Sequence, residues 1–126
     1  MKLKRDPLDR AFSDYIRTRD RWRCSRCRVH HEPPTNEIQC AHIFTRGNKG
    51  IRVDEHNAVA LCDRCHFYFK YRQEEWRVWC DKHFGTAFME RLRIKYYSRG
   101  QKLVASESEL LRKDFIKRTR ALEVAA

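Results

Sequence analysis

The spacing of four cysteines constrains this chain more than any other feature. Cys24-Ser25-Arg26-Cys27 and Cys62-Asp63-Arg64-Cys65 are two C-x-x-C pairs with 34 residues between them. Each pair sets two thiolates on one tight turn, able to grip one edge of a tetrahedral zinc ion. Two such knuckles complete a four-cysteine site with no open coordination position, the arrangement of a structural zinc. Arg23, Arg26, Arg28 and Arg64 flank the pairs and favour the thiolate form that zinc requires. A disulfide framework belongs to an oxidising compartment. A thioredoxin-like redox pair calls for a βαβ context that the sequence does not offer. Cys40 and Cys80 have no partner at ligand spacing and read as small buried hydrophobes.

The 126 residues suffice for one domain, 1–126, with a modest core. Lys and Arg number 28 against 17 Asp and Glu, a net charge of +11. Nineteen of the cations are Arg, whose planar fork pairs with phosphate through two hydrogen bonds. This composition points to a polyanion, and nucleic acid, DNA or RNA, is the leading partner. An anionic membrane surface would want a basic amphipathic helix with its apolar face exposed, and here those faces are needed for the core. No apolar run approaches the roughly 18 residues of a membrane span, and the N-terminus turns polar before a secretory signal could form. The expectation is a soluble, cytoplasmic protein.

Along the chain, Asp6-Pro7 is a helix start, and Leu8, Phe12, Tyr15 and Ile16 recur at helical spacing, predicting an amphipathic N-terminal helix over 7–20. Its other face carries Arg10, Arg17 and Arg19. Val29 to Asn36 is a loop, Glu37 to Phe44 a short strand, Thr45 to Arg52 a glycine-containing loop, and Ala58–Leu61 a second strand. One helix is predicted from Asp63 to about Cys80, burying Phe67, Tyr71, Val78 and Trp79, and another over Thr86 to Tyr97. The aromatic group Phe67, Tyr68, Phe69, Tyr71, Trp76 and Trp79 reads as core rather than as a platform for bases. A charged helix from Ser106 to about Leu122 opens on a Ser-x-x-Glu capping box. The fold class is α+β and helix-rich: a zinc-braced core over 22–80, with helices before it and C-terminal helices over 83–123.

Between the knuckles lie Cys40-Ala41-His42-Ile43, then Asn57 fifteen residues after His42, then Leu61-Cys62-Asp63-Arg64-Cys65-His66, whose histidine follows Asn57 by nine. A histidine on a strand, an asparagine after a loop and a histidine at a helix start make a strand–loop–strand–helix unit. This resembles the HNH, or ββα-metal (His-Me finger), endonuclease motif, in the subgroup braced by paired C-x-x-C knuckles. The segment Leu8-Asp9-Arg10-Ala11-Phe12-Ser13-Asp14-Tyr15-Ile16-Arg17-Thr18-Arg19-Asp20, with Arg52-Val53-Asp54-Glu55-His56-Asn57, is similar to the lambdoid phage NinG (Rap) recombination proteins. The likeness covers about 7–97.

The resemblance implies a metal-dependent endonuclease that hydrolyses DNA phosphodiester bonds, on branched or recombination intermediates if the NinG likeness carries over. His42 is then the general base. His66 is a ligand for a catalytic divalent ion, Mg2+ or Mn2+, beside the scissile phosphate. Asn57 holds the loop and keeps His42 aimed. Arg46, Lys49 and Arg52 are candidates to clamp phosphate. Cys24, Cys27, Cys62 and Cys65 hold the structural zinc, which does no chemistry. The chain departs from the motif at Ala41, where many HNH nucleases carry a second metal-ligating Asp or His. That substitution favours an alternative: a zinc-braced module that binds nucleic acid and cuts nothing. His66 has a duller reading as a helix cap or a zinc ligand, and Asn57 as a turn residue. A homodimer, with the helix over Thr86 to Tyr97 or the C-terminal one supplying the face, would help in cutting two strands.

Overall fold

Asp6 caps the first helix. In the computed structural model, which describes residues 6–45, 51–98 and 102–126, its carboxylate accepts the Leu8 N–H at 2.8 Å and proline takes the first helical position. Helix α1 (Pro7–Arg19) buries Leu8, Phe12, Tyr15 and Ile16, the four residues its periodicity selected. The matching face comes from the far end of the chain, where α5 (Ala105–Ala125) lies along α1. Phe115 meets Phe12 edge-on at 5.3 Å. The Arg118 guanidinium covers the Tyr15 ring at 4.5 Å, donates to its hydroxyl at 2.9 Å and pairs with Glu55.

Strands β1 (Ile38–His42) and β2 (Ala58–Cys62) form a two-stranded antiparallel sheet, with Ile38 opposite Cys62 and His42 opposite Ala58. A single 3-10 turn, Glu55–Asn57, leads into β2. Every residue of β2 is buried, because the sheet lies between two cores. One is the α1–α5 core, which takes Ala58 and the side of Cys40. The other joins Ile38, Ala41, Val59 and Leu61 to Cys65, Phe69, Trp76, Cys80 and Met89, drawn from α2 (Asp63–Lys70), α3 (Gln73–Phe84) and α4 (Thr86–Tyr97).

So narrow a sheet needs its outer edge satisfied. The end of α1 does this for β2. Asp20 accepts the Ala60 N–H at 2.8 Å, and Arg19 donates to the carbonyls of Ala58 and Glu55 at 2.9 and 2.7 Å. Ser25 of the first knuckle donates its N–H to the Ala60 carbonyl at 3.0 Å. Arg19, expected on a polar outer face, is a structural brace.

Three expectations are corrected. The helix predicted from Asp63 to Cys80 is two helices, broken at Tyr71-Arg72. The Gln73 side-chain amide donates to the Phe69 and Lys70 carbonyls at 3.0 and 3.1 Å, satisfying groups a continuous helix would have bonded internally. The break re-phases the buried face: Cys65, Phe69, Trp76 and Cys80 turn inward, while Phe67, Tyr71 and Val78 are exposed. Helix α5 begins at Ala105 with no side-chain cap, so Ser106 falls inside the first turn and Glu109 pairs with Arg112 instead. Cys80 is fully buried, and burial pushes the Cys40 thiol up to about 11, as expected of packed cysteines.

Candidate functional site

Two turns bring the cysteines together. In the first knuckle the Cys24 carbonyl accepts the Arg28 N–H at 2.9 Å, the Cys24 N–H donates to Val29 at 2.9 Å, and Arg28 takes a left-handed φ of 71° to close the turn. The Cys27 N–H points at the Cys24 sulfur, 3.5 Å away. In the second, Cys62 ends β2 and caps α2, its sulfur accepting the Cys65 N–H at 3.4 Å. The four sulfurs lie within 4.8 Å of one another, and those of Cys27 and Cys62 are 3.7 Å apart. Zinc bound tetrahedrally at about 2.3 Å from each sulfur would space them by about 3.8 Å. Cys24, Cys27, Cys62 and Cys65 could therefore hold a zinc ion.

The electrostatics of this cluster suit a cation. Burial raises the Cys24 thiol, but backbone groups of Cys27, Cys62 and Arg26 aimed at its sulfur outweigh it and bring the thiol down to about 7. Burial pushes Cys65 up to about 12, against the hydrogen bond from Arg26 at 3.6 Å. Four clustered sulfurs cannot all ionise without a positive charge among them, and a divalent ion supplies it. Among the described residues this is the one group of three or more ligating side chains close enough to hold an ion.

His42 ends β1, and its imidazole Nε2 donates to the Arg52 backbone carbonyl at 2.9 Å. A carbonyl only accepts, so this bond fixes the tautomer and places the ring's lone pair on Nδ1. Phe12 of α1 backs the ring, with centroids 5.7 Å apart. Asn57 is wholly buried. Its Oδ1 accepts the Phe44 N–H at 2.8 Å, and its amide donates to the carbonyls of Phe44 and Ile51 at 3.0 and 3.1 Å. One side chain thus ties both ends of the β1–β2 connection, next to the carbonyl that holds His42.

His66 sits in the first turn of α2, and its Nδ1 donates to the side-chain oxygen of Gln39 on β1. Such a bond orients an imidazole and leaves the lone pair on Nε2. Burial first, then the charge of Lys70, lowers the His66 pKa below its ordinary value, favouring the neutral ring. His42 and His66 line one hollow of about 180 Å³, with Thr45, Lys70 and Gln73 among its other walls. Ala41 is also in that wall, but it is buried in the core beside α2 and offers no donor atom.

The predicted phosphate-binding residues divide. Arg46 and Lys49 lie outside the described residues. Arg52 pairs with Asp9 of α1 at 3.1 Å, which fixes the segment whose carbonyl meets His42. The residues that sequence reasoning missed are the partners: Gln39, Asp9, Lys70 and the carbonyl of Arg52. Gln39 and Lys70 stand at signalled positions, one on the strand of His42 and one a helical turn beyond His66, but neither residue type announces its contact.

Comparison with protein-family models, with curated proteins and with solved structures gives no match for this chain.

Proposed function

We propose that this chain is a metal-dependent HNH-type endonuclease that hydrolyses phosphodiester bonds of DNA, its β1–β2–α2 unit serving as the ββα finger and a four-cysteine zinc as its brace. The observation that carries the reading is the hold on His42: a backbone carbonyl fixes one ring nitrogen, Asn57 staples the loop that supplies it, and His42 and His66 are both among the residues that line one hollow. A lone structural histidine needs no such second layer of support.

In this mechanism His42, as a neutral imidazole, takes the proton of a water whose oxygen attacks phosphorus while the bond to the leaving oxygen breaks. Arg52 and Asn57 keep the ring from turning. His66, aimed by Gln39, is the residue that would hold the divalent ion, which when bound supplies Lewis-acid stabilisation of the leaving oxygen. With Ala41 offering nothing, a single imidazole implies weak binding completed by water and phosphate, as suits Mg2+ or Mn2+. The zinc holds the knuckles, so that β1 and α2 keep their relation.

The test is nicking of supercoiled plasmid with Mg2+ or Mn2+, with His42→Ala as control. Wild type should nick, and the variant should retain its zinc and melting temperature while losing the activity. The buried Ala41 favours the second reading, a zinc-braced binding module. Wild-type protein that binds DNA yet nicks nothing across several divalent metals would establish that reading instead.

A further inference from the structure

The hollow between His42 and His66 does not end at its own walls. His66 and Lys70 also line a groove of about 730 Å³ along the outer face of α2. Ile43, Thr45 and Gln73 are shared with a third hollow of about 520 Å³ against α3 and α4. Through these shared wall residues the three hollows adjoin at the candidate site and together are called the trench. Arg64, Lys70, Arg72, Arg77 and Arg93 line it, against the single carboxylate of Asp63. Arg93 is partly satisfied by Glu90 at 3.2 Å. That imbalance of sign suits a phosphate backbone laid lengthwise.

The α2 end of the trench carries aromatic rings that the core does not use. Phe67 is 64% exposed and Tyr71, one helical turn on, is 67% exposed. They meet edge-to-face at 5.3 Å, and the Lys70 ammonium lies 5.5 Å from the Tyr71 ring centroid. Beside them the Tyr68 ring is flanked by the guanidinium groups of Arg72 at 4.1 Å and Arg26 at 4.3 Å. A paired duplex shows no base faces to such rings, whereas an unpaired base offers a π-face.

From this we infer that the trench seats a single, unpaired strand of DNA, its bases stacking on Phe67 and Tyr71 and its phosphates following Lys70 towards the hollow of His42 and His66. The inference rests on the nucleic-acid reading above and adds the form of the substrate: a strand already unpaired, such as a single-stranded flap or a bubble.

The experiment measures fluorescence anisotropy of a labelled 20-nucleotide oligo-dT and of a 20-base-pair duplex, using the full zinc-loaded chain without added Mg2+ or Mn2+. Phe67→Ala should weaken oligo-dT binding by about tenfold, the loss of one base stack. Its effect on the duplex should stay within about twofold, and Phe67→Trp should retain strand binding. Lys70→Ala should lower the salt dependence of strand binding by about 0.7 in the log–log slope, one phosphate's share. Oligo-dT binding indifferent to Phe67→Ala, or an equal loss on strand and duplex, overturns the proposal. So does a wild-type dimer in sedimentation that Phe67→Ala converts to monomer without changing strand binding, since the rings would then be a face for a second copy. The two readings fail separately. A chain that nicks plasmid while ignoring Phe67 in strand binding leaves the nuclease standing and removes the trench assignment. A chain that never nicks but needs Phe67 for strand binding does the reverse.

Discussion

At the scale of single residues, the proposed function gives His42 and Asn57 different tasks, one in activity and one in stability. His42 ends a strand, where its ring bonds the Arg52 carbonyl and rests against Phe12 at the rim of the sheet, so its removal should cost the fold less than it costs the proposed chemistry. We predict that His42→Ala lowers the plasmid-nicking rate by about 10²- to 10⁴-fold, the usual worth of a general base, with a melting temperature close to wild type. Nicking at the wild-type rate would remove His42 from that role. Asn57 is the opposite case. Its amide is buried and satisfies three backbone groups, two of Phe44 and one of Ile51. Asn57→Ala leaves those groups without the amide in a buried loop, and should cost at least about 2 kcal/mol in urea unfolding. Of these two residues the sequence exposes the identity and the order, His42 on a predicted strand and Asn57 fifteen residues on, just before the next strand. The partners stay hidden: a backbone carbonyl such as that of Arg52 has no residue type, and nothing in a string of letters says which carbonyl a histidine will find.

At the scale of elements, the end of α1 and the α2–α3 junction show which local rules could be read and which could not. The α1 start was legible because Asp6-Pro7 acts on its own neighbours. The helix break at Tyr71-Arg72 was not, because no glycine or proline marks it. It is made by an amide reaching back from Gln73, an ordinary helix former. A continuous helix would put Phe67 and Tyr71 inside, whereas both are exposed to solvent. The bracing of β2 was equally silent, since Asp20 meets the Ala60 N–H across 40 positions of chain. We predict that Asp20→Ala, which strands that N–H and unties Arg19, destabilises the protein by about 2 to 3 kcal/mol. Asp20→Asn, which keeps an acceptor, should cost less. Equal losses in urea titrations of the two variants would show that the carboxylate's charge, rather than the edge bond, holds β2.

At the scale of the whole molecule, the cysteine cluster stands where the first knuckle, the sheet and α2 meet. Cys24, Cys62 and Cys65 belong to the same buried core as Leu61, Phe69 and Trp76, and Cys62 is both the end of β2 and the cap of α2. An ion held there would join three things at one point: the first knuckle, the sheet, and the helix that carries His66. Without it, four sulfurs lie within 4.8 Å of one another, with the Arg26 guanidinium 3.6 Å from Cys65. The free energy of binding zinc would then be part of the free energy of folding. The α1–α5 core is built on different residues and does not include the cluster. Stripping zinc with a strong chelator should therefore abolish the cooperative melt of the sheet and α2, while part of the helical circular dichroism survives in α1 and α5. Cys62→Ser should bind less than one equivalent of zinc and melt like the stripped protein. A variant that keeps a full equivalent of zinc and a native melting curve would show that the four-cysteine cluster is not what holds β1 against α2. The placement of His42 beside His66 would then need another cause.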